Sequence, residues 1–191
     1  KTANETKRPI TSANLIFKVS ATGVIERVIP LPAAMNDTQA RYGFEGVTEH
    51  NGKLVVAIQR SWDIANKNGN PLIGLFDLTT SAWSFMSYPI DPVASPNGGW
   101  VGLSEITAIG NNRYLVVERD NHMGPDARIK RIYRIDMTGK ADGAVLTKTL
   151  VRDLMDDLRG PKGLVLEKVV VHVAKKTPRC IRDGQEARGC S

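Results

Sequence analysis

GFEGVTEHNGKLVVAIQR, residues 43–60, predicts a β-hairpin whose second strand is buried on both faces. Asn51-Gly52 is a strong signal for a two-residue turn, because both central positions of a type I′ turn need positive φ. The run KLVVAI that follows is too continuously apolar for a strand with one wet face. Glu45 stands near the start of this hairpin and Arg60 at its end, so the two charges need an explanation.

The hairpin pattern recurs with an offset of 60 residues. VGLSEITAIGNNRYLVVERD, residues 101–120, places Glu105 at the position of Glu45. Related strands follow each hairpin and also occur once upstream: LIGLFDLTT (72–80), RIYRIDMTG (131–139) and LIFKVSATG (15–23). The upstream copy lacks the first half of the unit. Three related segments at nearly constant spacing indicate a repeat architecture.

Each repeat is predicted to contain four strands, which in the middle unit are 46–50, 53–59, 72–77 and 82–88. Four-stranded units favour a β-propeller, with a β-sandwich as the structural alternative. The predicted fold class is all-β, a propeller fragment of roughly three blades in an incomplete ring, because closure usually needs four or more blades. It comprises the last two strands of one blade, two complete blades and the start of another at 163–174. Only VRDLMDDLR (151–159) has helical periodicity, enough for one or two turns.

The net charge of +6 is concentrated at the end of the chain. Residues 159–191 hold eight basic and three acidic side chains, which leaves a net charge of +1 for residues 1–158. This nearly neutral body argues against a nucleic-acid partner, which would require a basic face. No stretch approaches the ~20 apolar residues that cross a bilayer, and KTANETKRPI at the start has no apolar region of a signal peptide. No phosphate-loop or dinucleotide motif is present.

We divide the chain into a lead-in at 1–13, propeller blades at 14–168 and an atypical basic tail at 169–191. The tail lacks a Glu-Gly pair, a hairpin turn and a second apolar strand, so we interpret it as either disordered or truncated. Cys180 and Cys190 match no zinc-site spacing. They form either a local disulfide or two free thiols.

Charged residues collect at one end of the predicted blades. A hairpin returns the chain to the side it started from, so Glu45 shares an edge with Gln59 and Arg60. The same reasoning groups four residues of the next unit, Glu105, Glu118, Arg119 and Asp120. The first strand of each blade is the innermost, which places both leading glutamates near the central channel.

These residue types suit a hard cation or an anionic ligand that carries a phosphate or carboxylate group. Four carboxylates are candidates for acid–base catalysis, namely Glu45, Glu105, Glu118 and Asp120. Glu45, Glu105 and Asp120 are also the candidate ligands of Ca²⁺, which prefers oxygen donors. Arg60 and Arg119, with Gln59 beside them, are the candidate substrate-binding residues, because guanidinium groups bind phosphate and carboxylate with two parallel hydrogen bonds.

Structural roles compete with these assignments. Glu45 and Arg60 also suit an internal ion pair that ties a blade together, and the segment ERD at 118–120 suits either role. Asp77 and Asp136 are predicted as turn residues whose carboxylates bind local backbone. Ser104 lies in GLSEI, which lacks the second glycine of a nucleophile elbow, so a catalytic serine is disfavoured.

The segments GFEGVTEHNGKLVVAIQR and LSEITAIGNNRYLVVERDN…ARIKRIYRIDMTG resemble the phytase-like, esterase-like β-propeller family. The resemblance covers roughly residues 10–168 and rests on the Phe-Glu-Gly entering one blade, the ERD of the next and the strand RIYRID. It implies a propeller, an extracytoplasmic location, periplasmic or secreted, and a phosphoester or ester hydrolase activity. After Lys168 the sequence departs, because Val169-Val170 stand where another Glu-Gly is expected.

The leading hypothesis is a fragment of a phytase-like hydrolase that acts on a small phosphorylated or ester substrate at the channel mouth. In its calcium-assisted form, Ca²⁺ polarises the phosphoryl oxygen and positions water. The alternative is a non-catalytic propeller that binds a ligand or protein at the same face, and a third reading is an inactive, incomplete ring. We expect a monomer when the ring is complete.

Overall fold

The computed structural model describes residues 14–38, 42–63 and 69–159, and the backbone of a small hairpin at 181–182 and 185–186. Twelve strands occur in these residues: β1 Leu15–Val19, β2 Ile25–Pro30, β3 Phe44–His50, β4 Lys53–Ile58, β5 Leu72–Asp77, β6 Trp83–Ser87, β7 Val101–Gly110, β8 Arg113–Asp120, β9 Lys130–Asp136, β10 Lys148–Asp153, β11 Ile181–Arg182 and β12 Gln185–Glu186. Two short helices join them, α1 Ala33–Thr38 and α2 Met155–Leu158, with a 3₁₀ turn at Gly124–Asp126.

The strands form antiparallel sheets in chain order. β1 pairs with β2, the next four strands form the sheet β3-β4-β5-β6, and the following four form β7-β8-β9-β10. The two predicted hairpins therefore lie in separate four-stranded sheets, which confirms the all-β propeller prediction. The described residues contain the last two strands of one blade and two complete blades, without closing a ring. The further blade predicted at 163–174 lies outside the described residues.

The hairpin turns are the ones that the Asn-Gly pattern predicts. Asn51 and Gly52 have φ values of 51° and 71°. In the next blade Asn111 and Asn112 take the same positions, with φ values of 52° and 53°. Asparagine tolerates this left-handed conformation better than most residues, so two asparagines replace the Asn-Gly pair.

The main hydrophobic core lies between the two four-stranded sheets. It contains twelve buried residues: Val55, Ala57, Ile73, Met86, Tyr88, Leu103, Ile106, Tyr114, Val116, Ile135, Met137 and Leu146. On the other face of β4, Ile58 packs with Leu31 and Trp62. Strand β4 is thus covered on both sides, as its apolar run predicts.

The innermost strands, β3 and β7, lie side by side. Ala108 N donates a hydrogen bond to Thr48 Oγ1 at 3.2 Å across this contact. A Cβ on Gly46 would lie 2.6 Å from Ile106 N and 2.9 Å from Glu105 Cα, closer than side-chain carbons approach other atoms. The glycine of the Phe-Glu-Gly segment therefore permits the close approach of the two blades.

Two aspartates at the opposite strand ends have the predicted turn role. Asp77 Oδ1 accepts hydrogen bonds from Thr79 N at 3.0 Å and Thr80 N at 2.9 Å. Asp136 Oδ1 accepts one from Thr138 N at 2.9 Å. These backbone hydrogen bonds hold the pKa of both carboxyl groups below its ordinary value.

Helical structure differs from the prediction in two places. Helix α1 follows Pro32 and was not predicted, because only six residues are helical. In the predicted segment 151–159, strand β10 continues to Asp153 and α2 forms a single turn. Asp153 Oδ1 accepts a hydrogen bond from Met155 N at 3.0 Å, which helps to begin that turn. No helix of the described residues is long and apolar enough to cross a membrane.

The tail predicted at 169–191 is described only by the backbone of β11 and β12, which pair as a short hairpin. Cys180 and Cys190, and the choice between a disulfide and free thiols, lie outside the described residues.

Candidate functional site

The charged strand ends of the two complete blades meet at one end of the molecule. Phe44 pairs with Ile58 in one sheet, and Val101 pairs with Asp120 in the other. Gln59 O accepts a hydrogen bond from Leu103 N at 2.9 Å, which joins the two ends. We call this end the rim, comprising residues 42–45, 59–60, 100–105 and 118–120.

The predicted site residues share the rim but fall into two groups. Side chains alternate along a strand, so Glu118 and Asp120 point to one face of β8 and Arg119 to the other. Glu118 and Asp120 are 0 % and 1 % exposed and lie on the face that packs against the preceding blade. Glu105 pairs with Val117, which places it on the same face as Arg119. The sequence predicted that these residues lie at the strand ends, but it did not predict that they divide between two faces.

The first group surrounds an indole ring. The guanidinium carbon of Arg60 lies 4.5 Å from the ring centroid of Tyr42 and 5.0 Å from that of Trp100. The guanidinium carbon of Arg119 lies 4.9 Å from the same indole centroid. The two aromatic rings are themselves 5.2 Å apart. Two cations thus share one electron-rich ring, an arrangement that cation–π attraction stabilises. We call these four residues the guanidinium–indole group.

Arg119 is held in place at its inner nitrogen. Its Nε donates a hydrogen bond to Ser104 Oγ at 2.9 Å. Burial lowers the pKa of Arg119, while the nearby charges of Glu45 and Asp120 oppose that change. An arginine keeps its proton at neutral pH even with a lowered pKa, so the rim carries a partly desolvated positive charge.

Bulges lie beside both predicted glutamates. The register shifts between Phe44 and Gly46, which makes Glu45 the extra residue of β3. In β7 the shift falls between Leu103 and Glu105, and the extra residue is Ser104. Bulges redirect side chains and are common beside active sites. Here they turn residues of both inner strands toward Arg119.

The two glutamates differ in exposure. Glu45 is exposed and lies close enough to Arg119 to favour its positive charge. Glu105 is half-buried, and its Oε1 accepts a hydrogen bond from Ile106 N at 2.8 Å. Both glutamates belong to the innermost strands, Glu45 to β3 and Glu105 to β7.

Glu118 belongs to the second group, a buried network between the blades. Its carboxylate accepts hydrogen bonds from Tyr88 Oη at 2.8 Å, Asp91 N at 2.8 Å and Lys148 Nζ at 2.7 Å. Burial raises the pKa of Glu118 against the opposing effect of Lys148. Burial and the neighbouring Glu118 also raise the pKa of Tyr88.

Asp91 is the second carboxylate of this network, and sequence reasoning missed it. It binds Lys148 at 2.7 Å, Arg131 at 2.6 Å and the hydroxyl of Tyr133 at 2.6 Å. Burial acts to raise the pKa of Asp91, but these three hydrogen bonds outweigh it and hold the pKa below its ordinary value. Lys148 comes from β10 and the other two partners from β9, so all three are distant from Asp91 in the sequence. The sequence feature that pointed to this network was Lys148, a charged residue within the predicted strand AVLTKTL.

Asp120 ties β8 to the start of β9. Its Oδ1 accepts a hydrogen bond from Lys130 Nζ at 2.6 Å, and its Oδ2 accepts bonds from Arg128 N at 2.6 Å and Ile129 N at 2.9 Å. Burial opposes ionisation of Asp120, yet Lys130 and the two backbone groups hold its pKa below the ordinary value. These contacts favour a structural role for Asp120.

The predicted calcium ligands do not fit a resident Ca²⁺ in the described part of the chain. Ca²⁺ takes about six to eight oxygen ligands, and no three His, Cys, Asp or Glu residues are grouped there for a metal. The oxygens of Asp120 already accept hydrogen bonds from a lysine and two backbone amides. We therefore derive no step through calcium.

A family model described as Phytase-like: Esterase-like activity of phytase matches residues 2–172. No curated protein and no solved structure matches the chain.

Proposed function

Since the chain belongs to the phytase-like family, we propose that it hydrolyses a small anionic phosphoester or ester at the rim. The observation that carries this proposal is the pair of guanidinium groups on Trp100, 4.9 and 5.0 Å from the indole centroid, at the end where Glu45 and Glu105 also lie. Arginine binds phosphate and carboxylate through two parallel hydrogen bonds. A partly desolvated site strengthens that attraction.

In the proposed reaction, Arg60 and Arg119 bind the anionic group and stabilise the charge that develops on its oxygens. Gln59 lies next to Arg60 and supports the blade contact through its backbone. Glu45, which is exposed, takes a proton from water as the water oxygen bonds to phosphorus or to the acyl carbon. The bond to the leaving ester oxygen then breaks, and Glu105, which carries a proton at this step, gives it to that oxygen. The proton held by Glu45 then passes to Glu105 through solvent, which restores both groups.

We assign no chemical step to Glu118 and Asp120. Their oxygens accept hydrogen bonds from Lys148 and Lys130 respectively, and both side chains are buried. In this proposal they hold the strand from which Arg119 projects, so their removal acts on stability before it acts on turnover.

A hydrolysis assay with two chromogenic esters tests the proposal. We expect the purified protein to release p-nitrophenol from p-nitrophenyl phosphate faster than from the neutral acetate. Glu45→Gln should lower kcat about a hundredfold or more, the scale of a lost general base. Glu105→Gln should matter less, because p-nitrophenolate leaves without protonation.

Arg119→Gln and Arg113→Gln form a matched pair for this assay. Both arginines lie on β8, but Arg113 is at the opposite end, beside Asp136. Loss of phosphate-ester turnover in Arg119→Gln alone supports the rim as the site. Equal turnover in the two variants would contradict it.

Calcium assistance is tested in the same assay by adding Ca²⁺ or a chelator. Since the described donors do not fit Ca²⁺, we expect no change in kcat. Activity that depends on Ca²⁺ and is lost in Glu45→Gln would restore the calcium-assisted hypothesis.

A second candidate function is non-catalytic binding of an anionic ligand or an acidic protein segment at the same rim. The observation that favours it is that two of the four predicted catalytic carboxylates are occupied by lysines. Binding of inorganic phosphate without turnover of either ester would favour this candidate.

From the family we also infer an extracytoplasmic location, in the periplasm or secreted. Separately, we propose a monomer when the ring is complete. Fractionation of producing cells and light scattering of the purified protein test these two inferences. Protein in the cytoplasmic fraction, or a dimer mass, would contradict them.

A further inference from the structure

The segment before β7 is shaped around Trp100. Gly98 and Gly99 both have positive φ, 73° and 92°, a conformation that side chains disfavour. A Cβ on Gly99 would overlap Asn121 and His122. These two glycines let the chain turn tightly and bring Trp100 against the segment that follows β8.

The backbone of Trp100 is bound on both sides by one residue. Trp100 N donates a hydrogen bond to Asn121 Oδ1 at 2.7 Å, and Trp100 O accepts one from Asn121 N at 3.0 Å. The ring of His122 adds a contact, since its Nε2 donates to Gly98 O at 2.7 Å. The main chain that carries the indole is therefore fixed on the blade that carries Arg119.

A third glycine makes room for the ring itself. A Cβ on Gly102 would lie 2.9 Å from Trp100 Cζ3, 2.7 Å from Gln59 O and 3.3 Å from Arg60 Cγ. Any larger residue at this position would push the indole away from both Arg60 and the blade contact. Glycine at 102 allows the indole to lie over the strand, within reach of both arginines.

The indole joins charges from two different blades. Arg60 follows β4 and Arg119 lies in β8, so each comes from its own sheet. Two guanidinium groups repel each other, and that repulsion would separate long side chains at a rim. The shared ring attracts both cations, while Ser104 holds the Nε of Arg119.

We propose that Trp100 is the positioning residue of the rim, which sets Arg60 and Arg119 for binding one anion before the anion arrives. This inference rests on the proposed function and deepens it, because it names what organises the anion-binding arginines. Preorganisation improves the free energy of anion binding, because the two arginine side chains lose their conformational freedom when the protein folds and not when the anion binds. Replacing the indole would therefore weaken anion binding, although the indole itself does not touch the anion.

The first test measures binding of inorganic phosphate by calorimetry to the wild type and three variants. We expect Trp100→Leu to weaken phosphate binding about tenfold, the scale of a partly desolvated cation–π contact. Trp100→Phe, which keeps an aromatic face, should stay within about threefold of the wild type. Trp83→Leu is the matched control, because the ring of Trp83 packs on Phe44, Phe76 and Phe85, which lie outside the guanidinium–indole group.

The second test reads the position of Arg119 without any ligand. Its Nε–H should exchange slowly with solvent in the wild type and give a proton NMR signal shifted by the indole ring current. Trp100→Leu should remove this shift and speed the exchange. Trp100→Phe should retain slow exchange, and Trp83→Leu should leave the signal unchanged even where it lowers the melting temperature.

Weaker phosphate binding and a lost Arg119 signal in Trp100→Leu alone support the inference. Phosphate binding and an Arg119 signal that are the same in Trp100→Leu and Trp83→Leu would overturn it. A wild type that binds no phosphate would overturn the proposed function instead, while the NMR comparison would still decide whether Trp100 positions Arg119.

Discussion

Single carboxylates at the rim differ in what their surroundings do to them. Glu118 is buried between the blades and accepts three hydrogen bonds, whereas Glu45 is exposed beside an arginine. A buried carboxylate with satisfied oxygens is an anchor, because its removal leaves partners without an acceptor. Glu45 instead lies in contact with solvent, where its charge favours the positive charge of Arg119.

At this scale we predict that Glu118→Gln destabilises the protein by about 2–3 kcal/mol, the upper range for a hydrogen bond to a charged group. Glutamine keeps the shape, but its NH2 group cannot accept hydrogen bonds, so the donors that now bind one of the two carboxylate oxygens lose their acceptor. Urea denaturation measures the change. Glu26→Gln, at an exposed ion pair with Lys18, is the control and should stay within about 0.5 kcal/mol of the wild type. Equal effects of the two substitutions would show that the buried network adds no stability.

The pH dependence of stability should report on Asp120. Its pKa is lower in the folded state, so its stabilising contribution is complete above the ordinary aspartate pKa of about 3.9 and is lost as the pH falls below it. We expect Asp120→Asn to be less stable than the wild type at pH 7 and the difference to shrink on acidification toward pH 3. Chemical denaturation over that range measures it. A gap that does not depend on pH would mean that the charge of Asp120 contributes nothing.

At the scale of elements, the contact between β3 and β7 decides how closely two blades approach. Each strand carries a bulge at the rim, and Gly46 lies against the backbone of Glu105 and Ile106. The repeated Glu position is thus coupled to a glycine whose role is steric. A substitution at the glycine should act on the blade contact as a whole.

We predict that Gly46→Ala destabilises the protein by about 1–3 kcal/mol, the usual cost of forcing extra volume into a packed contact. Its methyl group would meet backbone atoms at 2.6 and 2.9 Å, which cannot move as a flexible side chain does. Thermal melts measure the loss. Val47→Ala, at an exposed neighbour in the same strand, should change stability by about 0.5 kcal/mol or less. A Gly46→Ala protein as stable as the wild type would contradict the tight contact.

At the scale of the whole molecule, the two complete blades share one core. Leu103 of β7 belongs to the same buried cluster as Val55 and Ile73 of the preceding sheet. Since neither sheet covers that face alone, the two should unfold together. Other apolar side chains lie outside this core and are exposed, among them Phe17 on β1 and Val151 on β10.

We therefore predict that Leu103→Ala destabilises the protein by about 2–5 kcal/mol, the range for a large-to-small core change. Amide hydrogen exchange should show equal loss of protection in β4 and β8. Val47→Ala again serves as the control, with unchanged protection in both strands. Loss of protection in β8 alone would indicate that the blades unfold independently.

Local pattern was enough to predict the hairpins, their turns and the four-stranded units. Asn51-Gly52 specifies its turn through backbone conformation alone, and KLVVAI shows burial on both faces through its composition. Hairpin geometry also brings Glu45, Arg60, Glu105 and Arg119 to one end, because antiparallel strands return the chain to where it started. These features depend on residues close together in sequence.

Which side chains meet at that end was decided only by tertiary structure. Bulges shift the register at Glu45 and Ser104, the alternation of β8 separates Arg119 from Glu118 and Asp120, and Lys148 reaches Glu118 from the outermost strand. Trp100 joins arginines that are 59 residues apart in the chain. Contacts of this kind depend on the distance and angle at which one sheet packs on the next. Burial of side chains from both sheets sets that distance and angle, and no local sequence pattern specifies them.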